Sequence, residues 1–236
     1  MEQAATSGRR ERLRKFAREV GGVVLGVLIA LGIGELAEAW RWKVRVDRSI
    51  EAMRMEAGGN RFNIAERAAA QVCIDRRLGE IASLLDAAGR GQPLPKVGPI
   101  GSPPDRVVER AAFDMATGQG VWLHTDADGA RDAALIYQLS TLDFPARAAD
   151  ERAAWQGLTL VEQAWGTPDP DTLLALRQSL AAARSAGAAM VPVLQRADRL
   201  LAGKRIPVEY GRLGNAAGMR RALLATPLCR PLRVES

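Results

Sequence analysis

The stretch HTDADGARD, residues 124–132, holds the densest set of groups able to do chemistry. His124, Asp126, Asp128, Gly129 and Asp132 fall where a calcium loop places its positions 1, 3, 5, 6 and 9. Position 12 is Leu135, however, where such a loop needs a bidentate glutamate, and a histidine at position 1 is wrong for calcium. The pattern reads instead as a helix start, with Thr125 as cap and the aspartates complementing the helix dipole. His124 is the only histidine, and no G-x-S-x-G accompanies it, so a serine triad has no support. One histidine and two distant cysteines make no zinc cluster unless carboxylates complete it. Gly203-Lys204 lacks the upstream glycine of a phosphate-binding loop. No catalytic, cofactor-binding or metal-binding residue is therefore expected.

The elements that would position any site depend on GGVVLGVLIALGIGELAEAW, residues 21–40. Residues 20–34 carry no charge, and at about 1.5 Å per residue they reach only about 22 Å, short of a hydrocarbon core of about 30 Å. Phe16 and Ala17 upstream, and Leu36, Ala37, Ala39 and Trp40 downstream, close the deficit. Trp40 and Trp42 then sit at the membrane interface, and Glu35 and Glu38 at head-group depth. A secretory signal peptide is the second reading, with A-E-A at residues 37–39 as its cleavage site. Two glutamates crowd that site, and the helical pattern continues through it, so the segment is read as an uncleaved span at residues 20–40. A third reading, the core helix of a soluble domain, is the least consistent with the flanking charges.

The basic block Arg9, Arg10, Arg12, Arg14, Lys15 and Arg18 lies on a short tail, which resists translocation. Residues 1–19 are accordingly placed in the cytoplasm and residues 41–236 in the periplasm, the span crossing a bacterial inner membrane. Gly22, Gly26, Ala30 and Gly34 recur every fourth residue. Small residues at that spacing let two helix backbones approach in lipid, which predicts a homo-oligomer through the span. The partners expected are the lipid bilayer, a second copy and an unidentified protein.

Net charge is +6, with basic and acidic residues intermixed beyond the N-terminal block. Aromatics are not interleaved with the basic residues as base stacking requires, so nucleic acid is excluded as a partner. Abundant Ala and Leu with few β-branched residues predict an all-α fold, the transmembrane helix continuing into a helical bundle. Helix is expected to about residue 57, and Gly58-Gly59-Asn60 breaks or bends it. Ile74, Leu78, Ile81 and Leu85 mark a second helical face that Gly89 ends. Residues 89–104 read as a Gly/Pro loop, and Ser102, Pro103 and Asp105 as the start of a short helix. Pro145 is expected to interrupt the next helix. Asp169-Pro170 opens a long one with Leu173, Leu176, Leu180, Ala183, Gly187, Met190, Leu194, Ala197 and Leu201 at heptad-like spacing and a kink at Pro192. Residues 205–236 lose all period.

The segment REVGGVVLGVLIALGIGELAEAWRWKVRVDRSIEAMRMEAGGNRFNIAERA resembles the start of uncharacterised bacterial single-pass membrane proteins with a helical extramembrane domain. The features that carry it are Glu19 before the span, Trp40 after it, and Glu56 with Asn60 one helix later. Phe113, Gly118 and Tyr137 extend it over about the first two thirds of the chain. The resemblance implies topology and no activity.

Cys73 and Cys229 are the only cysteines and lie on the same side of the span. On an extracytoplasmic side they are expected to form a disulfide that pins the tail to the bundle. Two functions follow for such a chain. One is a membrane-anchored binding or scaffolding protein of the cell envelope, without catalysis. The other is a membrane-anchored enzyme or sensor with a small ligand in the helical domain. Convergent polar groups in a concavity, around His124, Asp126 and Tyr137 for example, favour the second, and an apolar or charged surface strip favours the first.

Overall fold

The computed structural model describes the backbone of residues 3–235 and the side chains of residues 16, 18 and 20–234. The basic side chains of residues 9–15 and Glu19 lie outside the described side chains. The fold is all-α: α1 (Gln3–Gly89), α2 (Ala111–Gly118), α3 (Ala127–Gln138), α4 (Phe144–Leu158), α5 (Pro170–Gly203) and α6 (Ala216–Leu224). Two short strands, β1 (Lys96–Val97) and β2 (Val234–Glu235), pair antiparallel, with Lys96 opposite Glu235 and Val97 opposite Val234. The chain divides into two compact units, residues 1–48 and residues 49–236.

The described residues of the first unit are helical. Its most apolar window has a mean hydropathy of 2.2, and none of that window is buried. Val23, Leu25, Leu28, Leu31, Ile33 and Leu36 are all exposed, an arrangement that water does not stabilise and lipid does. Among the described residues, this is the one helix long and apolar enough to cross a membrane. Gly22, Gly26, Ala30 and Gly34 are exposed, and nothing stands within 4 Å of a Cβ built at any of the three glycines. Trp40 is exposed, and the guanidinium of Arg45 lies 4.4 Å over the Trp42 ring.

The second unit is built on seams of alternating three- and four-residue steps. On α1 the seam is Met53, Ala57, Asn60, Ile64, Arg67, Gln71, Ile74, Leu78, Ile81 and Leu85, all buried except the half-buried Gln71. On α5 it is Leu176, Leu180, Ala183, Gly187, Met190, Leu194, Ala197 and Leu201, all buried. On α4 the buried residues are Phe144, Glu151, Trp155 and Leu158, at steps of seven, four and three. Such spacing holds one stripe of a helix against its neighbours, and Ile74, Ile81, Trp155, Leu158 and Leu176 share one core.

Several expectations are corrected. Gly58-Gly59-Asn60 neither breaks nor ends α1. Gly58 is a point of close approach instead: a Cβ there would sit 2.6 Å from Cγ of Glu209, whose N–H bonds to the Gly58 carbonyl. No helix starts at Ser102-Pro103; residues 103–110 have no regular structure, and α2 begins at Ala111. The cap of α3 is Asp126, which accepts the Gly129 N–H at 2.7 Å, while the Thr125 hydroxyl bonds back to the Val121 carbonyl. Pro145 does not interrupt the chain, which passes from α3 to α4 through a π turn (Leu139–Asp143). The wider turn lets the Phe144 N–H bond to Leu139 O just before a residue with no N–H of its own. The tail 205–236 is not aperiodic throughout, since it contains α6, capped by Asn215.

The tail is held as expected by Cys73–Cys229, with Sγ–Sγ 2.00 Å. One turn of α1 reinforces the bond. Arg77 donates to the carbonyls of Pro227 and Arg230 at 2.7 and 2.6 Å, and Arg76 donates to that of Cys229.

Candidate functional site

Polar residues lie on and beside the α1 seam, and several bind the chain's own backbone. Asn60 makes a pair of hydrogen bonds with Glu109, Nδ2 to its carbonyl at 2.7 Å and Oδ1 from its N–H at 2.8 Å. Asn63 donates to Val107 O at 3.1 Å, and Arg106 forms two bonds with Glu66 at 2.7 and 2.8 Å. These contacts tie residues 106–109, which have no regular structure, to α1, which is why the helix signal at Ser102-Pro103 fails. Glu56 then takes the Ala112 N–H at 2.8 Å, giving the first turn of α2 the acceptor its free N–H groups need.

The other oxygen of Glu56 accepts the Tyr137 hydroxyl at 2.6 Å, and both residues are buried. The Tyr137 ring stacks on Phe113, with centroids 4.5 Å apart. Phe113 also meets Trp122 at 5.4 Å and lies under the Arg110 guanidinium at 5.1 Å. Glu56, Asn60, Phe113 and Tyr137, four of the seven residues named for the resemblance, thus lie in one region of the α1–α2–α3 contacts. Burial first, then the hydrogen bond and negative charge of Glu56, push the Tyr137 phenol well above its ordinary value. It is a fixed donor and no general base.

A raised phenol pKa adds stability that is complete below about pH 10, the ordinary value, and is lost as pH rises beyond it. The denaturation midpoint of the unmodified chain is expected to fall above that pH more steeply than that of Tyr137→Phe. Parallel curves for the two proteins would contradict the assigned hydrogen bond.

His124 and Asp126 are exposed, whereas Tyr137 is buried against Glu56, so the three do not converge in a concavity. Asp126 caps α3, and Asp128 pairs with Arg131 at 2.8 Å. Among the described residues no three His, Cys, Asp or Glu side chains are placed to hold a metal ion.

Deeper in the bundle, Arg67 forms two bonds with Glu151, at 2.8 and 2.6 Å, and the two side chains are 1% and 2% exposed. Gln71 accepts from the same guanidinium at 3.0 Å. Gly187 supplies the facing position on α5, where a Cβ would sit 3.6 Å from Oε1 of Glu151. One layer of the bundle is therefore polar on α1 and α4 and empty of side chain on α5.

An open recess lies between α4 and α5, with a volume of about 620 Å³. Alanines and serines line it: Ala153 and Ala154 from α4, and Ser179, Ala182, Ser185, Ala186 and Ala189 from α5. Its ionised residues are Arg147 and Asp150, which face each other at 3.6 Å on α4. Gln178 completes the lining, and the small side chains on the two adjacent helices form a groove that admits another helix at short distance. This groove was not legible beforehand, because its residues are the same alanines that serve packing elsewhere. No known family, curated protein or solved structure matches this chain.

Proposed function

We propose that the chain is a membrane-anchored helical binding or scaffolding protein of the bacterial cell envelope, without catalytic activity. In this reading residues 20–40 span the inner membrane, the N-terminus is cytoplasmic and residues 41–236 are periplasmic. The exposed apolar helix supports the anchor, and the disulfide supports an oxidising compartment for the domain. The resemblance to uncharacterised single-pass membrane proteins agrees with this topology. The observation that carries the binding role is the alanine- and serine-lined groove between α4 and α5, a surface strip suited to a protein helix.

Ala182→Arg places a long charged side chain in that groove on an exposed helix position, where helix propensity is nearly unchanged. The variant is expected to keep the helicity and thermal midpoint of the unmodified chain. It is also expected to lose proteins that co-purify with the unmodified chain from detergent-solubilised membranes. An unchanged set of companions would defeat the groove as the binding surface.

A further inference from the structure

We propose that the disulfide-held tail carries a binding site for a phosphoryl group, in a pocket that shares no residue with the α4–α5 groove. The pocket has a volume of about 170 Å³ and is lined by Gly98, Pro99, Pro227, Arg230, Pro231 and Arg233. Its lining therefore holds two cations and no carboxylate. Both arginines are exposed, and among the described residues neither guanidinium has a hydrogen-bond or ion-pair partner.

A buried cation stands behind the pocket. Arg77 is 1% exposed, and its Nη2 donates to the carbonyls of two lining residues, Pro227 at 2.7 Å and Arg230 at 2.6 Å. Its Nε and Nη1 are buried without a hydrogen-bond partner. The carboxylate nearest to balancing it is that of Glu80, 3.5 Å from Nη1, while Arg76 donates to the Cys229 carbonyl in the same stretch. Burial lowers the Arg77 pKa against the pull of Glu80, and Arg76 lowers it further. That balance marks a cation short of negative charge. The field of a buried guanidinium is screened less than that of a solvated one, so it favours an anion at the adjoining surface.

The walls are fixed before anything binds. Three of the lining residues are prolines, whose φ is locked. Cys229 is joined to Cys73, the Gly98 N–H bonds to Arg233 O at 3.0 Å, and Val97 pairs with Val234. Binding thus orders only the two arginine side chains, which lowers its entropy cost. Ligand class follows from the donors. One bidentate guanidinium fills a carboxylate, whereas two forks on one pocket match the several oxygens of a phosphoryl group. Size sets a limit, because a whole cofactor needs about 300–1,000 Å³. The pocket takes free phosphate or the phosphoryl of a lipid head group, which share this chemistry.

The test uses the full chain in a maltoside detergent, which carries no phosphate. Inorganic phosphate, acetate and dihexanoylphosphatidylglycerol below its micelle concentration are titrated separately by calorimetry at constant ionic strength. Saturable binding of a phosphoryl probe is expected with a Kd on the order of millimolar or tighter. Arg230→Gln and Arg233→Gln are each expected to weaken it about five- to tenfold, and the double variant to abolish it. Arg220→Gln, which removes the same charge from an exposed position of α6, is expected to leave it unchanged. All four variants are expected to keep the thermal midpoint of the unmodified chain. Tighter binding of the lipid assigns the phosphoryl to a head group, and tighter binding of inorganic phosphate assigns it to the free anion. Acetate binding as tightly as either overturns the phosphoryl class. No saturable binding of the two phosphoryl probes overturns the site, as does binding that survives the double variant or falls equally in Arg220→Gln.

Discussion

Arg67→Ala is expected to destabilise the helical domain by about 3–5 kcal/mol, because it leaves Glu151 as an unpaired charge in the core. The estimate rests on burial and geometry. Arg67 and Glu151 are almost wholly inaccessible, they share two short bonds, and no side chain at Gly187 stands ready to replace either partner. Glu151→Ala should cost a similar amount by stranding the guanidinium, with Gln71 as its only other assigned partner. Removing both charges together, Arg67→Met with Glu151→Leu, is expected to recover most of the loss, since a buried pair gives little net stability over apolar residues of similar volume. Denaturant midpoints of the four proteins in detergent give the cycle. Additive losses in the double variant would show that the two side chains do not act as a pair.

Replacing Cys73 and Cys229 by alanine is expected to have an effect of at least that size. The bond joins residues 156 apart, and constraining a loop of that length is worth about 5 kcal/mol in the chain-entropy account. The loss should be concentrated in the tail. Residues 227–235 rest on the disulfide, on the carbonyl contacts of Arg76 and Arg77, and on a two-residue strand pair. Hydrogen exchange in the cysteine-free protein is expected to quicken there first, with α5 still protected. Equal protection of the tail with and without the bond would mean that the arginine contacts suffice.

The fold class was legible because α5 writes its seam in leucine, alanine and methionine at regular steps, and because residues 20–34 are uniformly apolar. The matching seam of α1 was legible only from Ile74 onward. Before that point Asn60, Arg67 and Gln71 occupy core positions, so a reading based on apolar periodicity loses the helix face just where it becomes polar. The 102–105 region failed for a related reason. Its Ser-Pro-x-Asp pattern favours a helix start locally, but side chains 40 to 56 residues earlier on α1 bind residues 106–112 in another conformation. Tertiary hydrogen bonds outweighed a local preference worth about 1 kcal/mol. At α3 the cap moved one residue, from Thr125 to Asp126, because the Thr125 hydroxyl bonds to the preceding turn.

The candidate site was less legible than the fold. Glu56, Asn60, Phe113 and Tyr137 were visible as letters, but nothing in their spacing shows that a carboxylate joins a phenol to a helix start 56 residues away. The groove was invisible for another reason. Exposed and buried alanines look alike in a sequence, and only the packing of α4 on α5 separates Ala182 and Ala189, which face out, from Ala183 and Ala197, which face in.

The central claim is an uncleaved apolar anchor carrying a disulfide-closed helical domain on the oxidising side of the membrane. It is tested most directly by the intact mass of the full chain, extracted from membranes, denatured and alkylated without reduction. The account predicts one species that retains the residues before Ala39 and carries no alkylated cysteine. A chain beginning at Trp40, or one with Cys73 and Cys229 both alkylated, would contradict it.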